Sequence, residues 1–316
     1  MVGMKVLLPN TIELNPRLPE GVTAITYDSE APIPAEHLDA EVLVDWEVRR
    51  KIVADAAGRL PNLKLVQALS AGADGVLNAP FDESVAICSG VGLHDHTVTE
   101  HTMALTLALL RHLPASLRAQ QRGEWAWELG GSQTMRTDDH ITTLLDARVL
   151  VWGFGSIAQT LAPVLSSLGA HVTGVARTAG ERSGFEVITE EDLPRELPHT
   201  DLLIMILPGL PATQNALNAE RLTLLPETAL VVNVGRGTTV DEDALLTALQ
   251  EGSIAGAALD VTAKEPLPQD SPLWDAPNLI ITPHAAGGRP IGADELIEAN
   301  VTALLNGGEL RNVVSS

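Results

Sequence analysis

Residues 148–158 read RVLVWGFGSIA. Arg148–Trp152 is a short run of strand formers, and Gly153-Phe154-Gly155-Ser156-Ile157-Ala158 follows it at once as G-x-G-x-x-A, opening a helical stretch that ends before Gly169. The first glycine permits a tight turn, the second lets backbone approach a pyrophosphate, and the small third residue lets the helix pack on the strand. The unpaired N–H groups of a helix start then face the phosphates. This context makes Gly153, Gly155, Ser156 and Ile157 candidate dinucleotide-binding residues. Pro163 lies within the helical stretch and is expected to bend it.

Moving outward, the next strand, His171–Val175, runs into Ala176-Arg177-Thr178. An NAD site places an acidic side chain about 20 residues beyond the glycines, on the ribose 2′-hydroxyl. Here an alanine, a cation and a hydroxyl stand there instead. Arg177 and Thr178 therefore favour a 2′-phosphate, hence NADP(H) over NAD(H), with a solvated arginine as the plainer reading. Further apolar runs at 201–207, 229–234, 254–261 and 279–282 alternate with helical stretches such as 241–249, which starts with acidic residues as the helix dipole prefers. Alternation of this kind indicates a parallel α/β sheet.

Three charged residues stand just past the ends of such runs: Arg236 after ALVVNV, Glu265 after IAGAALDV, and His284 after NLIITP. In a parallel sheet those ends line the ligand crevice. A cation, a carboxylate and an imidazole together there supply an anion clamp, an orienting group and a proton-transfer group. Singly, each has an ordinary alternative as surface cation, loop carboxylate or loop histidine; their convergence on one sheet edge favours a site.

The first hundred residues repeat the strand–helix alternation, with strands at 5–8, 41–45 and 63–69 and a helix at 47–60. The third strand ends in Ser70-Ala71-Gly72-Ala73-Asp74-Gly75, which reads equally as an anion-binding nest of backbone N–H groups or as an ordinary turn. Trp46 follows the second strand and suits a core or a pocket. His94, His96 and His101 lie within eight residues but match no metal-ligand spacing, so no metal is expected. A strongly apolar helix at 98–113 crosses into the second half. The stretch 120–146, with Trp125, Trp127 and a Gly-Gly pair, reads as a connecting or dimer-covering excursion.

With 316 residues, 45% of them hydrophobic, the chain can build two domains with real cores. Acidic residues outnumber basic ones 41 to 20, and a formal charge of −21 argues against nucleic acid or an anionic membrane surface as partner. Cys88 is the lone cysteine, which leaves no intrachain disulfide and no cysteine metal site. No apolar run reaches the roughly 18 residues of a spanning helix. The opening MVGMKVLLPN is too short an apolar stretch for a signal peptide. A cytoplasmic enzyme or binding protein is expected.

Five of these segments, GFGSIA, LPGLPAT, NVGRGTTVDEDAL, LDVTAKEPLP and TPHAAGG, together make the run from 148 to 288 closely resemble the D-isomer-specific 2-hydroxyacid dehydrogenases. LSAGADGV and the helix containing Glu100 resemble that family too. The SAGAD loop, Trp46 and TPHAAGGRP look most like its glyoxylate/hydroxypyruvate reductase branch. The resemblance implies an α/β fold of two doubly wound parallel-sheet (Rossmann-like) domains with a cleft between them. Residues 1–97 plus 287–316 would form a flavodoxin-like substrate-binding domain, and 98–286 the dinucleotide-binding Rossmann domain. It implies Arg236, Glu265 and His284 as the catalytic set, and Ala71, Gly72 and Trp46 as substrate contacts. Leu207, Pro208, Thr213, Val234, Gly235 and Asp260 would add to the cofactor site, Asp260 near the nicotinamide amide. The expected reaction is reduction of a small 2-keto acid to the D-2-hydroxy acid with NAD(P)H, in a homodimer. A dinucleotide-sensing or corepressor-like protein on the same fold is the alternative. A Rossmann methyltransferase would have no use for the three charged residues.

Overall fold

The computed structural model describes residues 3–131, 134–136 and 140–314. The chain divides into two compact units, Met1–His94 with Gly288–Ser316, and Asp95–Gly287. No helix among the described residues is long and apolar enough to cross a membrane.

In the smaller unit, β1 (Met4–Pro9), β2 (Val22–Tyr27), β3 (Val42–Asp45), β4 (Leu65–Ala68) and β5 (Ala86–Cys88) pair in parallel in the order β2-β1-β3-β4-β5. That is the flavodoxin-like order, with its switch point between β1 and β3. β1, β3 and β4 are almost wholly buried, as expected of parallel strands covered on both faces. Val6, Leu8, Val42 and Val44 pack with Leu296, Ile297 and Val301 of the chain's last helix, Ala293–Asn306. Leu7, Leu43 and Val66 point the opposite way, onto Val53 and Ala56 of α1 (Arg50–Arg59) and Val76 of α2 (Asp74–Leu77). The period-2 alternation of strand side chains assigns each to its layer. α1 starts three residues later than its expected position because Glu47 takes φ +53° and Arg49 is extended. The last helix begins at Ala293, after Gly292 at φ +84°.

The larger unit opens with α3 (Asp95–Leu110) and α4 (Leu113–Gln121). The single helix expected over 98–113 is interrupted by His112, left-handed at φ +49°, and restarts with Pro114 in its first turn, where a missing N–H is harmless. Then follow β6 (Arg148–Trp152), α5 (Ser156–Ser167), β7 (His171–Val175), β8 (Gly180–Arg182), β9 (Phe185–Ile188), α6 (Leu193–Glu196), β10 (Leu202–Met205), α7 (Ala219–Leu222), β11 (Leu230–Asn233), α8 (Glu242–Glu251), β12 (Gly256–Leu259) and β13 (Leu279–Ile281). The order is β13-β12-β11-β10-β6-β7-β9-β8, parallel except for the β8–β9 hairpin. The order reverses between β6 and β10, the place where such sheets bind dinucleotides. Side chains alternating along β6, β10 and β11 supply the two cores: Val149, Val151, Ile204 and Val232 to one, Leu150, Trp152, Leu203 and Val231 to the other.

α5 continues through Pro163. The hairpin β8–β9 was not expected; its turn is Ser183-Gly184, both at positive φ (+51° and +83°), a two-residue geometry that suits strand twist. In the excursion at 120–146, Trp125 and Trp127 are 78% and 80% exposed, with ring centroids 5.9 Å apart. Residues 132, 133 and 137–139 of it lie outside the described ones.

Candidate active site

Gly153 turns the chain at the end of β6 with φ +104°, and a Cβ there would stand 2.5 Å from the carbonyl oxygen of Ile206, after β10. The two strand ends flanking the reversal thus touch backbone to backbone. Gly155 precedes α5, and nothing lies within 4 Å of where its Cβ would be, so its backbone stays open to a ligand. Phe154 is buried instead, its ring occupying the space a side chain at Gly174 would need. Ser156, first in α5, donates its hydroxyl to Asp95 Oδ1 at 3.0 Å. Ile157 packs against the core. This open backbone at the start of a 12-residue helix fits a pyrophosphate.

Along the same sheet edge, Arg177 and Thr178 are exposed after β7. Arg182, which the sequence reading passed over, reaches back from the hairpin. Its Nη1 donates to Phe154 O (2.9 Å) and its Nη2 to Thr178 O (3.0 Å), tying the glycine loop to the loop after β7. After β10, Pro208 is exposed, and its carbonyl accepts the Thr213 hydroxyl at 2.5 Å. After β11, Val234 is buried; Gly235 lets the chain pass Leu207, whose backbone oxygen is 2.6 Å from a Cβ built there.

Arg236 is half-buried and extended (φ −137°, ψ 139°). Its carbonyl accepts from Asn233 Nδ2 (3.1 Å) and from the Thr239 hydroxyl (2.7 Å), and its Nη1 donates to Gly235 O (2.8 Å). Its side-chain stem runs beside Gly209, where a Cβ would lie 3.3 Å from Arg236 Cγ. Gly237 admits no side chain at all, its Cβ position being 1.9 Å from the carbonyl carbon of Thr262. The turn carrying Arg236 therefore rests directly on the loop carrying Glu265.

Glu265 Oε1 accepts the Thr262 N–H (3.1 Å), and its Oε2 lies 2.7 Å from Nδ1 of His284. Both side chains are partly exposed, so the pair meets solvent on one side. A carboxylate can only accept, so this contact takes its proton from Nδ1 and leaves Nε2 as the ring nitrogen not engaged by Glu265. His284 sits at φ +52°, its own N–H donating to Asp260 O at 2.8 Å.

Asp260 is 1% exposed. Its Oδ1 accepts the Thr282 hydroxyl (2.6 Å) and the Ala285 N–H (2.9 Å), and its Oδ2 the Ala286 N–H (3.0 Å). His101 on α3 adds Nε2, 3.1 Å from Asp260 Oδ1 and 2.9 Å from Thr282 Oγ1. The carboxylate is thus engaged by the loop that holds His284. The three neighbouring histidines go separate ways: His94 is buried with Nε2 on Leu69 O (2.7 Å), His96 is exposed, and His101 serves Asp260.

In the smaller unit, the N–H groups of Ala71 and Gly72 donate to no partner among the described residues. The Ser70 hydroxyl closes the turn on Gly72 O (2.8 Å). Trp46 is half-buried and stacks on His94 at 5.3 Å and 18°. Asp45, one residue before it, has a buried Oδ1 without a hydrogen-bond partner among the described residues, and burial pushes its carboxyl up to about 6.

Residues 103–286 match the family model for the NAD binding domain of D-isomer specific 2-hydroxyacid dehydrogenases. The glycerate dehydrogenase of Methylorubrum extorquens is 32% identical over 278 residues, 83% of this chain and 82% of that protein. The human glyoxylate reductase/hydroxypyruvate reductase is 31% identical over 298 residues, 87% and 85% of the two chains. Among solved structures, a D-isomer specific 2-hydroxyacid dehydrogenase from Xanthobacter autotrophicus, in complex with NADPH and MES, superposes with a TM-score of 0.83 at 28% identity, covering 100% of this chain and 98% of that one. An NADPH-dependent glyoxylate/hydroxypyruvate reductase from Sinorhizobium meliloti, in complex with NADP and sulfate, gives 0.81 at 25%, covering 99% and 98%. The glycine loop at the sheet reversal and the three charged strand ends are thus those of a chain that belongs to the D-isomer specific 2-hydroxyacid dehydrogenases.

Proposed function

We propose that the protein reduces a small 2-keto acid of the glyoxylate/hydroxypyruvate type to the D-2-hydroxy acid, with NADPH preferred over NADH. The observation that carries this reading is the 2.7 Å contact of Glu265 with His284 Nδ1, on the same sheet edge as Arg236 and the glycine loop. A bound dihydronicotinamide supplies the hydride to C2 of the keto acid. Arg236 pairs with the substrate's carboxylate and keto oxygen and stabilises the negative charge that develops on that oxygen. His284 donates a proton from Nε2 to the same oxygen. Glu265, accepting from Nδ1, fixes the orientation of the ring. Asp260 holds the 282–286 loop through three hydrogen bonds. We assign the substrate carboxylate to the N–H groups of Ala71 and Gly72, with Trp46 beside them, and the 2′-phosphate to Arg177 and Thr178.

The NADP complexes of the Xanthobacter and Sinorhizobium relatives support the cofactor preference. The exposed Trp125 and Trp127 support a homodimer that covers them. The test is a panel of 2-keto acids assayed with NADPH and with NADH by loss of the reduced-nicotinamide absorbance. Turnover of glyoxylate or hydroxypyruvate, faster with NADPH, is the expected result. Tight NADPH binding with no turnover of any keto acid would replace this reading by dinucleotide sensing.

A further inference from the structure

One carboxylate near the Glu265–His284 pair has no role in the chemistry above. Glu242 is the first residue of α8, and the preceding Asp241 caps that helix by accepting the Ala244 N–H at 3.1 Å. With the cap provided, the Glu242 side chain turns away from its own helix. Its Oε1 accepts the N–H of Ala263 at 2.6 Å, on the loop after β12. The residue before, Thr262, donates its N–H to Glu265 Oε1. Two carboxylates therefore hold two successive backbone N–H groups of one loop, one from α8 and one from the loop itself. The Thr262 hydroxyl closes the same loop on Lys264 O at 2.9 Å. Glu242 is half-buried. Burial, and after it the charges of Asp243 and Glu265, push its carboxyl above the usual range, against the pull of the Ala263 N–H. Glu242 and Glu265 thus act on each other electrostatically.

We propose that Glu242 is a positioning residue for the Glu265–His284 pair: from α8 it anchors the 262–265 loop that presents Glu265 to His284. The inference rests on the proposed roles of Glu265 and His284. The anchor matters because Glu265 reaches His284 from a loop that is otherwise held by its own short-range hydrogen bonds and by the Gly237 backbone packed on Thr262.

Substitution tests the anchor. Glu242→Gln keeps an oxygen that can accept the Ala263 N–H, whereas Glu242→Ala removes it. The measurements are kcat and KM for hydroxypyruvate with NADPH, and NADPH affinity by fluorescence titration. Glu242→Ala is expected to lower kcat roughly tenfold with NADPH affinity near that of the parent, and Glu242→Gln to keep kcat within about threefold of the parent. Equal losses of kcat in the two variants, or a loss in Glu242→Ala matched by a loss of NADPH affinity, would overturn the inference, leaving Glu242 a structural residue. A kcat lowered by Glu265→Gln but not by Glu242→Ala would overturn it while leaving the proposed chemistry intact. Full turnover in His284→Ala would remove the proposed chemistry and this inference together.

Discussion

Nε2 of His101, on α3, stands 3.1 Å from Oδ1 of Asp260, at the end of β12. That carboxylate is buried, and its remaining hydrogen bonds go to Thr282, Ala285 and Ala286, the residues around His284. Taking one donor from a buried charge costs about 1–3 kcal/mol. In His101→Ala the thermal midpoint is therefore expected to fall by several degrees. Turnover should drop roughly tenfold as the 282–286 loop loosens. Thermal unfolding and steady-state kinetics check this, and a variant with unchanged midpoint and rate would show that His101 bears no part of the loop's order.

Removal of the proposed proton donor is a sharper change. His284→Ala is expected to cut kcat by about 10²–10⁴-fold while leaving NADPH affinity near that of the parent. In the proposed reaction Arg236 stabilises the developing oxyanion, so Arg236→Ala should lower kcat/KM by about 10²–10³-fold. Both follow from positions at strand ends rather than within the glycine loop. Fluorescence titration with NADPH beside keto-acid kinetics distinguishes them from a cofactor-binding defect; a matching loss of NADPH affinity would count against the assignments.

These strand-end residues were legible in the sequence because a buried parallel strand is a continuous apolar run, so a charged residue just past it stands out. Gly153 and Gly155 were legible because tight turns and close backbone approach require glycine. Arg182, Glu242 and His101 were not, and the reason is the same for each. Their partners lie 28, 21 and 181 residues away, across connections whose course depends on backbone turns. Arg182 meets Phe154 only because Ser183-Gly184 folds β8 back along β9, and that S-G pair between strand formers was the available signal. The break between α3 and α4 was similarly marked by Pro114, but the left-handed turn at His112 has no periodic signature.

Asp45 makes stability depend on pH. Burial raises its carboxyl to about 6, and its Oδ1 has no partner among the described residues, the nearby Tyr27 hydroxyl being committed to Val44 O at 2.8 Å. A folded-state value above the unfolded one, near 3.9, means that the folded chain binds this proton more tightly. The resulting stability is complete below about pH 4 and is lost as pH rises through about 6. Asp45→Asn removes the titration. Between pH 5 and pH 8 the variant's thermal midpoint should fall less than the parent's, with a difference of up to about 3 kcal/mol at neutral pH. Parallel curves for the two proteins would sink the assignment to Asp45.

The two arginines beside the glycine loop should affect cofactor use in different ways. Arg177 is exposed after β7 and free to meet a 2′-phosphate, whereas both terminal nitrogens of Arg182 are engaged by the carbonyls of Phe154 and Thr178. Arg177→Ala is expected to raise KM for NADPH roughly tenfold and to leave KM for NADH nearly unchanged, because only NADPH carries the extra phosphate. The salt dependence of KM for NADPH should weaken in the same variant, since an exposed charge pair is screened by ions. Arg182→Ala frees the glycine loop from the loop after β7, so it should weaken both cofactors by similar factors. Because the two residues serve one loop, their effects on NADPH should depart from additivity in the double variant. Equal effects of Arg177→Ala on NADPH and NADH would place the 2′-phosphate contact elsewhere. A loss confined to NADPH in Arg182→Ala would instead make Arg182 a direct phosphate ligand and not a brace between the two loops.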